Sequence, residues 1–96
     1  MARPYAEFVA DLERLRIKKK ARTIAQKHGA TLEQLCESRK FLHIAEARAD
    51  LMMLIRERFR MSYPAIAQFF GLKDHGTVLI SIRRAKARRA AAVNLE

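Results

Sequence analysis

The run Lys73-Asp74-His75-Gly76-Thr77-Val78-Leu79-Ile80-Ser81-Ile82-Arg83-Arg84 sets hydrogen-bonding groups, apolar side chains and cations in a fixed order. Asp74 is a helix-starting residue, because its carboxylate can accept from the free N–H groups of a first turn. Val78, Leu79, Ile82 and Ala85 form an inward stripe at helical spacing, and the cations beyond it meet no acid before Glu96. That arrangement leaves His75, Gly76, Thr77, Ser81, Arg84 and Arg88 available on the outside. Imidazole and hydroxyl groups can bond base edges or phosphates, and a threonine methyl can pack on a thymine methyl. The chemistry is that of a helix whose first turn touches bases and whose far end sits near phosphates. Asp74 has two jobs open to it, capping the helix and accepting from cytosine N4, and the two can coexist on separate oxygens.

Other elements must hold this helix. Periodicity is helical throughout, with three glycines, two prolines and no alternating β-branched run, which predicts an all-α fold. Pro4 can open a first helix carrying Tyr5, Phe8, Val9, Leu12 and Leu15. Ala21, Ile24 and Ala25 mark a second stripe ending at His28-Gly29, with Gly29 as the left-handed residue past the helix end. The pattern leaves open whether these are one helix or two. Thr31-Leu32-Glu33-Gln34 reads as a capping box opening a short helix, with Leu32 and Leu35 inward. Residues 38–43 read as a loop, and a long helix follows over about 44–60, with Ile44, Ala47, Leu51, Leu54, Ile55 and Phe59 at its apolar positions. Met52 and Met53 read as core filler. Ser62 caps a short helix that tolerates Pro64 in its first turn, carries Ile66, Phe69 and Phe70, and ends at Gly71. The last helix runs from Asp74 to about Arg89. Two helices joined by a tight glycine turn, the second capped and basic, are a helix-turn-helix pattern.

Twenty Lys and Arg against ten Asp and Glu give a net charge of +10, which predicts affinity for polyanions. Arg14, Arg16, Lys18, Lys19, Lys20 and Arg22 crowd one stretch; Arg83, Arg84, Lys86, Arg88 and Arg89 crowd another. Either run alone suits a solvated helix face; both in 96 residues point to nucleic acid. The Arg39-Lys40 pair lies in the expected loop, where it can enter a minor groove or rest on phosphates. Arg48 and Arg56, eight residues apart, fall near one face of the long helix, and Glu46, Asp50 and Glu57 are alternative partners for them. No apolar run reaches membrane-spanning length and no signal peptide is legible, so the cytoplasm, on the nucleoid, is the expected compartment. The lone Cys36 excludes an internal disulfide and reads as packed, not nucleophilic. His28, His43 and His75 lack metal-ligand spacing, and Asp74 beside His75 forms no triad, since neighbouring helical residues point apart. We expect no catalytic residues, no metal, no cofactor and no small-molecule substrate.

From about Thr23 to Arg89 the chain resembles the C-terminal DNA-binding domain of the bacterial replication initiator DnaA. The matching features are Ile24-Ala25, Leu35 before a basic loop, Arg48, Ser62-Tyr63-Pro64-Ala65-Ile66-Ala67 leading to Phe70-Gly71, and Lys73-Asp74-His75-Gly76-Thr77-Val78-Leu79. The family pattern in the last block is basic-Asp-His-Thr-Thr-Val-Leu. The resemblance implies a Trp-repressor-like or DnaA-like domain of about five to six helices, binding short asymmetric sites such as TTATCCACA as a monomer. It implies that Asp74, His75, Gly76 and Thr77 lie at the major groove. It further implies that Arg39 and Lys40 lie at the minor groove, and that Arg48, Arg56, Pro64, Lys73 and Arg84 lie along the backbone. Lys18, Lys19, Lys20 and Arg22 would add sequence-independent affinity. Gly76 replaces the first of the paired threonines, removing a hydroxyl and a methyl; Lys40 replaces an arginine and loses its planar fork. Leu42 and Glu46 stand where cations are common in the family.

The expected division is a basic amphipathic helix or connector at 1–22, the helix-turn-helix domain at 23–90, and a tail at 91–96 in which Leu95-Glu96 reads as a tag remnant. No Gly-x-x-x-x-Gly-Lys-Ser/Thr loop is present, so the chain gives no sequence basis for ATP binding. It reads as an excised domain or a small stand-alone relative. The expected function is sequence-preferring binding of double-stranded DNA at initiator-like boxes, regulating replication or transcription. The alternatives are a nonspecific nucleic-acid binder, an RNA adaptor, and a protein-interaction module that dimerises or recruits through residues 1–16.

Overall fold

The computed structural model describes residues 3–37 and 41–94, and among them six helices and no strand. They are α1 (Tyr5–Arg14), α2 (Lys18–Lys27), α3 (Leu32–Leu35), α4 (Leu42–Phe59), α5 (Tyr63–Phe69) and α6 (His75–Asn94).

Three helix ends follow one geometry. At α2 the N–H of Gly29 bonds Gln26 O and that of Ala30 bonds Ala25 O; at α5 the N–H of Gly71 bonds Gln68 O and that of Leu72 bonds Ala67 O. Both glycines have φ +71°, which they adopt without a Cβ penalty. α1 ends the same way with arginine in the left-handed position. Arg16 has φ 59°, its N–H bonds Glu13 O, and the N–H of Ile17 bonds Leu12 O. α1 and α2 are therefore two helices, and the fully buried Ile17 anchors the turn between them.

Local side chains set several helix starts. Thr31 Oγ1 accepts from the Gln34 N–H at 3.2 Å while Gln34 Oε1 accepts from the Thr31 N–H at 2.9 Å, completing the expected capping box. Ser62 Oγ accepts from the Ala65 N–H at 3.2 Å, with Pro64 in the first turn. Two boundaries differ from expectation. α4 begins at Leu42, so residues 42–43 are helical where a loop was expected. α6 runs to Asn94, five residues past Arg89, because Ala90-Ala91-Ala92 offers nothing to stop a helix.

α4 is the central element, with α2, α3, α5 and α6 packed around it. Its buried residues, Ile44, Ala47, Ala49, Leu51, Met52, Met53 and Ile55, exceed a single stripe, as a surrounded helix requires. Met52 and Met53 fill the core as expected. Phe8 of α1 packs against Phe69 and Phe70 of α5, with ring centroids 5.6 and 5.5 Å apart. Phe8 and Leu12 are fully buried, so the α1 stripe is used within the chain's own core. Arg3 fastens this corner by donating to Phe69 O at 2.9 Å and pairing with Asp11. No buried polar or charged residue occurs among the described residues.

Candidate nucleic-acid interface

The site is built on the α5–α6 pair. α5 is capped by Ser62, buries Ile66, Ala67 and Phe69, and turns at Gly71. Leu72 is partly buried against the core and Lys73 is exposed. Asp74 Oδ1 then accepts from the Gly76 N–H at 2.8 Å, so the carboxylate caps α6 as expected. Val78, Ile82 and Ala85 are buried, at 0, 2 and 1 % exposure; Leu79 is only partly buried. The buried three fasten α6 to the core and turn its other face outward.

His75, Thr77, Arg83 and Arg84 are exposed on α6, and Gly76 and Ser81 are half-exposed. Ile80 and Arg83 of this face were absent from the outward set expected from the sequence. Ile80 is 52 % exposed and stands across the helix from Val78 and Ile82. Its spacing of four from Gly76 was the signal, because residues four apart share a helix face.

Arg88 is corrected. It was expected on the outward face, but its Nε pairs with Glu46 Oε2 at 3.1 Å and its Nη2 with Asp50 Oδ1 at 3.0 Å. Asp50 Oδ2 also lies 2.6 Å from His28 Nε2, so one carboxylate ties α2, α4 and α6 together. Arg89 reaches Glu57 Oε2 at 2.8 Å. The acids considered as partners for Arg48 and Arg56 are thus engaged by α6.

Arg48 is half-buried and donates from Nε to Leu35 O at 2.9 Å and from Nη2 to Glu37 O at 2.7 Å. It holds the chain where α3 gives way to the basic stretch, and burial lowers its pKa from the usual guanidinium value. Arg56 donates from Nη1 to Met61 O at 2.9 Å and lies over the Tyr63 ring, 4.4 Å from its centroid. Both arginines therefore shape the connections that flank α4. Pro64 is exposed in the first turn of α5. Arg39 and Lys40 lie outside the described residues.

Cations also converge at the α1–α2 turn, where Arg16, Lys18, Lys19 and Arg22, with Glu13, line an open concavity of about 390 Å³. Lys20 is exposed nearby in α2. Cys36 is buried, donates to Glu33 O at 3.2 Å, and has its thiol pKa pushed up by that burial. No group of three His, Cys, Asp or Glu suited to a metal, and no helix long and apolar enough to cross a membrane, occurs among the described residues.

A short helix and a capped second helix, joined by a glycine turn and presenting polar groups and cations away from the core, define a helix-turn-helix DNA-binding domain. The family model described as bacterial dnaA protein helix-turn-helix matches residues 12–85, and the chain belongs to that family. It is similar to the chromosomal replication initiator protein DnaA of Thermus thermophilus, 38 % identical over 63 residues, which are 66 % of this chain and 14 % of that protein. The DnaA of Synechococcus sp. (strain JA-2-3B'a(2-13)) is 30 % identical over 73 residues, 76 % of this chain and 16 % of the relative. That of Bradyrhizobium sp. (strain BTAi1) is 29 % identical over 75 residues, 78 % and 16 % respectively. The chain thus spans about one seventh of the length of the curated relatives it matches. No solved structure matches it. The matched part is the DNA-binding domain of these initiators and not a catalytic one.

Proposed function

We propose that the chain binds double-stranded DNA with a preference for DnaA-box-like sites, laying the first turn of α6 in the major groove, and that it does so without ATPase activity. The observation that carries this reading is the capped start of α6, where Asp74 fixes the first turn and His75 and Thr77 stand exposed beside it. Oδ1 of Asp74 serves the cap, which leaves Oδ2 as the atom to accept from a cytosine amino group. Lys73 and Arg84, exposed at either end of the reading surface, are suited to the flanking phosphates. Arg56 uses one of a guanidinium's five donors on Met61 O, and Arg48 and Pro64 complete the proposed backbone contacts. Arg39 and Lys40 are assigned to the minor groove. Lys18, Lys19, Lys20 and Arg22 add affinity that does not depend on sequence.

We further place the protein in the cytoplasm, on the nucleoid, acting on replication initiation or transcription by occupying such sites. Monomeric binding is favoured because Phe8 and Leu12, the core of the α1 stripe, are already buried against their own chain.

Fluorescence anisotropy with a TTATCCACA duplex and a scrambled duplex tests the reading. With about six to eight phosphates neutralised, log K falls with log salt at a slope of roughly −5 to −7 on the specific duplex. Equal affinity for both duplexes at every salt concentration leaves only the nonspecific alternative. Replacing Lys18, Lys19 and Lys20 lowers affinity for both duplexes alike; a loss confined to the box duplex contradicts the division of labour.

A further inference from the structure

Gly76 and Ile80 lie one turn apart on the same face of α6, between Thr77 on one side and Arg83 on the other. A solitary exposed aliphatic residue is ordinary on a protein surface. This one differs by its place. It stands opposite Val78 and Ile82, which pin α6 to the core, and it is the exposed large apolar group beside the helix's first turn, Val93 lying more than three turns further on. The residue one turn before it has no side chain, and cations follow at Arg83 and Arg84. A helix laid in a groove with glycine at its second position can approach the groove floor closely there. The side chain one turn on is carried inward with it.

The only methyl group on the major-groove edge of the four bases is the C5 methyl of thymine. We propose that Ile80 is a specificity-determining residue of this chain, reading a thymine methyl that the helix reaches because position 76 is glycine. The inference rests on the proposed docking of α6 in the major groove. Four residues of helix advance about 6 Å, and bases step by about 3.4 Å, so the thymine lies roughly two base pairs beyond the base facing Gly76. The chain thereby regains, one turn later, an apolar contact of the kind a threonine at position 76 would supply.

Deoxyuridine removes the thymine methyl and leaves every hydrogen-bonding group in place. The test measures anisotropy affinities of the wild-type chain and Ile80→Ala on the TTATCCACA duplex and its scrambled counterpart, each with thymine and with deoxyuridine. A scan replacing single thymines on either strand follows. Removing the methyls weakens wild-type binding about three- to fivefold, the scale of one buried methyl, and one position accounts for most of the loss. Ile80→Ala binds the thymine and deoxyuridine duplexes alike at that position. Ile80 is exposed, so the variant keeps the wild-type helical signal, and Ile80→Val keeps the methyl dependence. A wild-type chain indifferent to methyl removal, or an Ile80→Ala variant as sensitive as wild type, overturns the proposal. A chain with no preference for the box over the scrambled duplex refutes the box reading separately. In that case an Ile80-dependent methyl effect on both duplexes still upholds the contact, and its absence from both still overturns it.

Discussion

Asp74 Oδ1 accepts the Gly76 N–H at 2.8 Å, and a Cβ built on Gly76 would stand 3.1 Å from that same oxygen. The cap and the missing side chain are therefore one arrangement. Glycine lets the carboxylate settle closely over the first turn, with its other oxygen 3.6 Å from where that Cβ would stand.

Capping and reading separate by substitution at Asp74. Asparagine keeps a capping oxygen but turns part of the acceptor set into a donor. Asp74→Asn retains thermal stability to within about 0.5 kcal/mol and loses discrimination between box and scrambled duplexes, whereas Asp74→Ala loses both, the cap being worth ~1 kcal/mol. Thermal melts and paired anisotropy titrations check this. Full discrimination in Asp74→Asn would reduce Asp74 to a cap alone.

Gly76→Thr returns a hydroxyl and a methyl to the reading surface. The gain in helix propensity is opposed by crowding of Asp74, so stability changes by less than about 1 kcal/mol. Box discrimination increases by about 1–3 kcal/mol at the base pair facing position 76, while the methyl dependence carried by Ile80 is lost, because the added side chain holds the helix off the groove floor. Comparing Kd for the cognate duplex and single-base variants of it shows this directly; a folded variant with unchanged discrimination contradicts it.

Arg16 sits at φ 59°, a conformation that disfavours any residue with a Cβ by about 1–2 kcal/mol. Glycine removes that strain but loses about 0.5–1 kcal/mol through the freedom of the unfolded chain. Arg16→Gly accordingly raises Tm by a few degrees by calorimetry. It also weakens binding to all duplexes equally, because a cation leaves the α1–α2 concavity. A lower Tm would contradict the turn geometry.

Asp50 receives His28 at 2.6 Å and Arg88 at 3.0 Å. Removing it takes the carboxylate from half-buried His28 and leaves Arg88 with Glu46, and Asp50→Ala costs about 1–3 kcal/mol in urea unfolding. The preference for box over scrambled DNA stays as in wild type, because the network lies on the side of α6 that faces α2 and α4. Altered preference with unchanged stability would place Arg88 at the DNA after all.

The parts of the fold that depend on a single local residue type were legible. Gly29, Gly71, the Thr31 capping box, Ser62 and Asp74 each mark a boundary by their own chemistry. The α1–α2 break was not, since its left-handed residue is arginine and carries no sign of the turn. The start of α4 was missed because Phe41 makes no side-chain cap. Arg48 and Arg56 find backbone carbonyls, groups every residue has and no sequence pattern distinguishes. Arg88 was misplaced because Glu46 and Asp50 come near it only once α4 and α6 pack. At the candidate site, family likeness named Asp74, His75 and Thr77 as the proposed polar contacts, while Ile80 emerged only once the outward face of α6 was defined.

The central claim is that the first turn of α6 reads a DnaA-box-like sequence. Selection of bound duplexes from a random pool, run in parallel with the wild-type chain and a His75→Ala, Thr77→Ala double variant, tests it most directly. The account predicts that the wild-type chain enriches one short asymmetric motif related to TTATCCACA, and that the double variant blurs it at adjacent positions. Recovery of no motif, or of the same motif with undiminished sharpness by the double variant, would contradict it.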